Sequence, residues 1–257
     1  MRTIYLFILG IILSTSGLHA QTKPVKYADN NQILNGLLIK SAKKNSQNPG
    51  ILLLPAWLGI DNASKEIADN LSKLGYTVFI ADIYGEGNYP KNTSEAGKQA
   101  GFYKKNYQAY QKRIQLALDQ LIKSGANADN IVAIGYCFGG TGVLEAARGK
   151  LNVKGVVSFH GGLGKDAERK NESISTKVLV CHGADDPFVS KEEIAGFQQE
   201  MRDSKADWQM IYYANSVHSF TNPEAGNDNS KGAAYNALAA KRSFEHLLLF
   251  LNEVLKK

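Results

Sequence analysis

The chain has 257 residues, 44% hydrophobic and 21% charged, which suits one large globular domain with a sizeable core. The formal charge is +6, but apart from short clusters such as Lys43-Lys44 and Lys104-Lys105 the cations are scattered, and no basic stripe with interleaved aromatics marks a nucleic-acid surface. There is no repeat, low-complexity tract or coiled-coil heptad.

The N-terminus reads as an export signal. Met1-Arg2-Thr3 is a short positive region, Ile4 to Leu13 a ten-residue apolar run, and Ser14 to Ala20 small and polar, the pattern of a secretory signal peptide cleaved after Ala20. The apolar run is shorter than the ~20 residues a bilayer span needs. No Cys follows the cleavage point to carry a lipid. Residues 21–257 are therefore expected as one mature domain, periplasmic or secreted, with no stable membrane anchor.

Lys23 to Asn30 reads as a polar lead-in and Ile33 to Lys40 as an early strand. Then strands and helices alternate. Ile51 to Leu54 is a short buried strand, Ser64 to Leu74 a helix stopped by Gly75, and Thr77 to Ala81 a strand. Asp82 to Ala100, rich in Gly, Tyr and Lys, is expected as a loop capping the site. Tyr107 to Lys123 is an amphipathic helix. Ile131 to Tyr136, Val153 to Phe159, Val178 to Cys181 and Trp208 to Tyr213 are strands, Lys191 to Arg202 is a helix, and Ala233 to Leu255 is the closing helix. This alternation predicts an α/β fold with a mostly parallel central sheet and helices on both faces.

The chemistry concentrates in Gly135-Tyr136-Cys137-Phe138-Gly139. Placed between a strand and a helix, it has the form of a nucleophile elbow, G-x-S-x-G, with Cys for Ser. The glycines permit a turn tight enough to push the Cys137 side chain out above the sheet, and a helix N-terminus there favours a thiolate. An acid and a histidine should follow in that order. His182-Gly183-Ala184-Asp185-Asp186-Pro187 and Val217-His218-Ser219-Phe220 both follow predicted strands. Asp185 and Asp186 could equally cap the next helix. With only two cysteines, Cys137 and Cys181, a disulfide is the competing reading in an oxidising compartment, although a domain of this size does not need that staple.

With elbow, acid and histidine in order, the chain resembles the dienelactone hydrolase family of the α/β-hydrolase superfamily over roughly residues 30–255. Its marks are Gly135 to Gly140, Ala81-Asp82-Ile83-Tyr84-Gly85, Gly183 to Val189 and His218-Ser219-Phe220. The resemblance implies Cys137 as nucleophile, His218 as base and Asp186 as the acid orienting it, with Asp185 as runner-up. It implies an oxyanion hole from the backbone N–H groups of Trp57 and Phe138. Tyr84, His160, Phe220 and Asn222 are expected at the substrate. No cofactor and no metal are called for, since His160, His182 and His218 show no ligand spacing.

Two positions depart from the family pattern. Ala56, in Pro55-Ala56-Trp57-Leu58-Gly59, stands where dienelactone-cleaving members carry a Glu. Asn222 stands where they carry a carboxylate-holding Arg. The resemblance thus implies a neutral ester, thioester or lactone as the small-molecule substrate, cleaved through an acyl-enzyme. Acyl transfer or peptidase activity on the same triad, or a non-catalytic binding protein with a relic elbow, are the alternatives.

Overall fold

The computed structural model describes residues 21–41, 43 and 45–256; the expected signal peptide lies outside the described residues. Among the described residues, eight strands form a single sheet: β1 (Gln21–Asp29), β2 (Gln32–Lys40), β3 (Gly50–Leu54), β4 (Thr77–Ile80), β5 (Ile131–Tyr136), β6 (Gly155–Phe159), β7 (Lys177–Gly183) and β8 (Trp208–Tyr213), in the order β1-β2-β4-β3-β5-β6-β7-β8. β2 runs antiparallel to both neighbours, and all later pairs are parallel. The α-helices are α1 (Asn62–Lys73), α2 (Thr93–Lys105), α3 (Tyr107–Lys123), α4 (Phe138–Arg148), α5 (Lys191–Asp203) and α6 (Ala237–Val254).

Alternation along each strand divides the core into two layers. Leu52, Leu54, Ala133, Val156 and Val180 pack on one face with residues of α3, α4 and α5. Ile51, Leu53, Val132, Ile134, Val157 and Leu179 pack on the other with α1 and α6. Burial on both faces explains why β3, β5 and β6 are apolar runs without polar alternation.

Two segments differ in kind from the sequence expectation, and the closing helix begins at Ala237 rather than Ala233. The polar lead-in is β1, paired along its whole length with β2. As an edge strand it carries Lys23, Pro24 and Lys26, residues that blunt an open edge and hide the strand pattern. The second half of the expected cap loop is α2. Asn92 caps it by accepting from the Glu95 amide, and Ala96, Ala100 and Tyr103 are its buried positions. Gly97 and Gly101, poor helix formers, had masked it.

Candidate active site

β5 delivers Cys137 to the carboxyl end of the sheet. Its amide donates to the Phe159 carbonyl at 3.0 Å, and its backbone then turns to φ 54° and ψ −112°. That left-handed conformation in a non-glycine residue is strained, on the order of 1–3 kcal/mol. The glycines on either side are sterically required. A Cβ on Gly135 would lie 2.0 Å from the Gly139 carbonyl oxygen, and one on Gly139 would lie 2.1 Å from that of Leu54. Phe138, the first residue of α4, is clamped from both sides. Its ring stacks on Tyr110 at 4.6 Å and on Tyr84 at 5.7 Å, and its carbonyl accepts from the Tyr110 hydroxyl at 3.0 Å.

β7 and the loop after β8 deliver the other two residues. Gly183 lets them close together, because a Cβ there would meet the Ser216 carbonyl oxygen at 2.6 Å. Asp186 is buried. One carboxylate oxygen accepts from the Phe188 amide, and the other lies 2.9 Å from His218 Nδ1. His218 Nε2 lies 3.1 Å from Cys137 Sγ. The backbone of His218 is stitched on both sides, its amide donating to the Gly232 carbonyl and its carbonyl accepting from the Ala234 amide. Asp185 is exposed and hydrogen-bonds through its backbone to Ser216. Geometry therefore brings Asp186 to the histidine and leaves the runner-up outside.

The electrostatics couple the three side chains. Burial pushes the Cys137 thiol up, but the His218 hydrogen bond and charge outweigh it, with the Lys104 charge and the Phe138 amide adding. The thiol is held below its ordinary value and is partly exposed. Burial alone would lower His218, yet its bonds to Asp186 and Cys137 push it up to about 9. The two shifts act in the direction of a thiolate–imidazolium pair.

Beside Cys137 lies a cavity of about 100 Å³, lined among others by Trp57, His160, Ser219, Thr221 and Asn222. His160 accepts or donates through Nε2 to the Thr221 hydroxyl at 2.8 Å. Burial first, then the His218 charge, hold it well below its ordinary value, so it is neutral. Two residues expected at the substrate sit one layer back. Phe220 is fully buried, edge-on to His160. Tyr84 is buried and donates its hydroxyl to the Trp57 carbonyl at 2.8 Å, so it supports the loop carrying Trp57. Tyr84 is itself held by Asp82, whose carboxylate accepts from the Tyr84, Gly85 and Asn35 amides and the Tyr89 hydroxyl. That buried hub explains the Ala81 to Gly85 motif. Its only sequence signal was the motif itself.

His182 is buried and meets Tyr212 edge-on, away from the cavity lining. Among the described residues no group of three or more His, Cys, Asp or Glu is arranged to hold a metal ion. Sequence reasoning missed Asp61, which lines the cavity and reads locally as no more than a helix cap.

A mostly parallel sheet with a tight elbow after β5, an acid after β7 and a histidine after β8 defines an α/β-hydrolase fold. A solved dienelactone hydrolase-like promiscuous phosphotriesterase from metagenomic libraries matches with TM-score 0.87 at 33% identity, over 93% of this chain and 100% of that one. The dienelactone hydrolase family model matches residues 34–255. The chain belongs to the dienelactone hydrolase family and is a hydrolase. An uncharacterized Caenorhabditis elegans protein is 36% identical over 148 residues, 55% of this chain and 91% of its own. A Bradyrhizobium sp protein named "Probable 2-oxo-3-(5-oxofuran-2-ylidene)propanoate lactonase" is 25% identical over 213 residues, 79% of this chain and 83% of its own.

Proposed function

We propose that the protein is an exported cysteine hydrolase that cleaves a neutral carboxylic ester or lactone through an acyl-enzyme. The observation that carries this reading is the hydrogen-bonded series Asp186–His218–Cys137, with links of 2.9 and 3.1 Å. The Cys137 thiolate attacks the carbonyl carbon, and the oxyanion that forms is held by the Phe138 and Trp57 amides. Collapse expels the alkoxide, which takes its proton from the His218 imidazolium. Neutral His218 then removes a proton from water, whose oxygen attacks the thioester. The carboxylic acid leaves and the thiolate–imidazolium pair returns. Asp186 holds the tautomer with the Nδ1 proton facing it.

Support for a neutral substrate comes from what lines the cavity. It contains no Lys or Arg, Ala56 occupies the position of the family Glu, and Asn222 that of the carboxylate-holding Arg. The cavity is small beside the several hundred Å³ of an ordinary ligand cleft, which fits a short acyl group. Residues 1–20 direct export in this reading, so the mature N-terminus is Gln21, checked by N-terminal sequencing of protein from the producing cells. A second substrate class, neutral phosphate triesters, is favoured by the 33% identity to the promiscuous phosphotriesterase.

The test is hydrolysis of p-nitrophenyl acetate by reduced protein beside Cys137→Ala. The expected loss is about 10³-fold or more. Equal rates in the two proteins overturn the reading.

A further inference from the structure

Among the described residues, the lining of the cavity beside Cys137 includes one carboxylate side chain, Asp61, and no Lys or Arg. Asp61, Ala63, Ser64 and Ile67, from the first two turns of α1 and its cap, form one wall. Ser219, Thr221 and Asn222, all uncharged, line it as well. His160 is neutral there, because burial and the neighbouring His218 charge depress it. The Cys137–His218 pair sums to zero as thiolate plus imidazolium. The amino end of α1 contributes the equivalent of about +0.5 charge, which the −1 of Asp61 exceeds. Lys104, whose charge helps lower the Cys137 thiol, lies outside the cavity lining, so the balance at this wall is negative.

We infer that Asp61 is the charge-selecting residue of this cavity, admitting esters whose buried group is neutral or cationic and rejecting those with an anionic group. This rests on the hydrolase reading proposed above, since it makes the cavity the place where part of the substrate sits. It goes further, because removing the family Arg makes a site merely indifferent to charge, whereas placing a carboxylate in the wall gives the site a preference. The same carboxylate has a structural task. Asp61 accepts from the Ser64 amide at 2.8 Å, and its own amide donates to the Ser64 hydroxyl at 3.0 Å, a reciprocal capping box. Asn and Ser cap helices about as well as Asp, so charge can be removed while the cap is kept.

The experiment measures labelling of Cys137 by methanethiosulfonates of equal size, one ending in trimethylammonium and one in sulfonate, with the site located by peptide mass. Asp61→Asn is compared with the native protein, and Asp61→Ser serves as a second variant. The ratio of cationic to anionic labelling rates is expected to fall about five- to tenfold in both variants, the effect of one partly screened charge at close range. A parallel series of p-nitrophenyl esters, hemisuccinate against pentanoate, should show the hemisuccinate gaining by a similar factor relative to the pentanoate. An unchanged labelling ratio overturns the assignment of Asp61. Loss of all ester turnover in the native protein, with the labelling ratio still shifted, would instead overturn the hydrolase reading and leave the charge of the cavity established.

Discussion

Cys137 and Cys181 stand at the same end of one sheet and have opposite chemistry. Register pairs Tyr136 with Phe159 and Phe159 with Cys181, so the two cysteines are two strands apart, one just past the sheet and one still within it. Cys181 is fully buried, with the Tyr213 hydroxyl at 3.6 Å from its sulfur, and burial pushes its thiol up to about 12. Cys137, one step beyond the last ladder pair, meets an imidazole, a helix N-terminus and the cavity, and its thiol is lowered. Two strand spacings are about 10 Å, beyond the ~7 Å reach of a disulfide, and both thiols are free. Reactivity here is set by a single residue's position relative to the strand end, not by residue type.

Thiol alkylation across pH sharpens that contrast most. At pH 7 Cys137 should react at least about 10³-fold faster than Cys181. The signs follow from the shifts. Because the Cys137 pKa lies below that of an ordinary thiol, its rate should stay high as pH falls below 8, where a free thiol loses tenfold per unit. Above about 9, His218 loses its proton, and the stabilisation that the raised histidine pKa gives the fold, complete below about 6.5, is lost. Cys181 should stay inert until strongly alkaline pH. Comparable rates for the two thiols at pH 7 would break the comparison.

Asp186→Asn tests the hydrogen-bonded series with a smaller effect. Ester turnover should fall about 10²-fold or more through the wrong histidine tautomer, while Asp185→Asn, outside the series, should stay within twofold. Reversal of that order would move the acid to Asp185. The smallest effect belongs to the buried thiol. Cys181→Ala should lower unfolding free energy by about 1–2 kcal/mol, from the lost packing of the buried sulfur, while the Tyr213 hydroxyl keeps its 2.8 Å partner His246 Nδ1, with p-nitrophenyl acetate turnover unchanged within twofold. A chemical-denaturation midpoint and one rate measurement decide it.

The parts legible in the sequence were those governed by strong local rules. Buried parallel strands are unbroken apolar runs, so β3, β5 and β6 fell close to their observed limits, and Tyr107–Lys123 matched to the residue. Gly135 and Gly139 could be read because the turn admits nothing larger. β1 was hidden because an edge strand is built from the residues that normally deny a strand. Tyr84 and Phe220 were placed one layer too far forward, since an aromatic beside a catalytic motif does not declare whether it faces substrate or braces the backbone. Asp61 was invisible for a related reason. Its capping role is local and its place in the cavity depends on how α1 meets the loop after β3, which only the folded chain reveals.

The backbone at the site is held in conformations that most residues avoid. Cys137, His160 and Ser219 have φ of 54°, 40° and 57°, all left-handed and all beside one another in the cavity lining. Each stores strain of order 1–3 kcal/mol, held in place by the ladder and by the stitching of His218 to residues 232–234. In evolutionary terms the neighbourhood is a stability–activity compromise. Replacing any of the three by glycine would relax that strain, and at Cys137 it would also remove the thiol, so here the chain holds its chemistry at the expense of local stability.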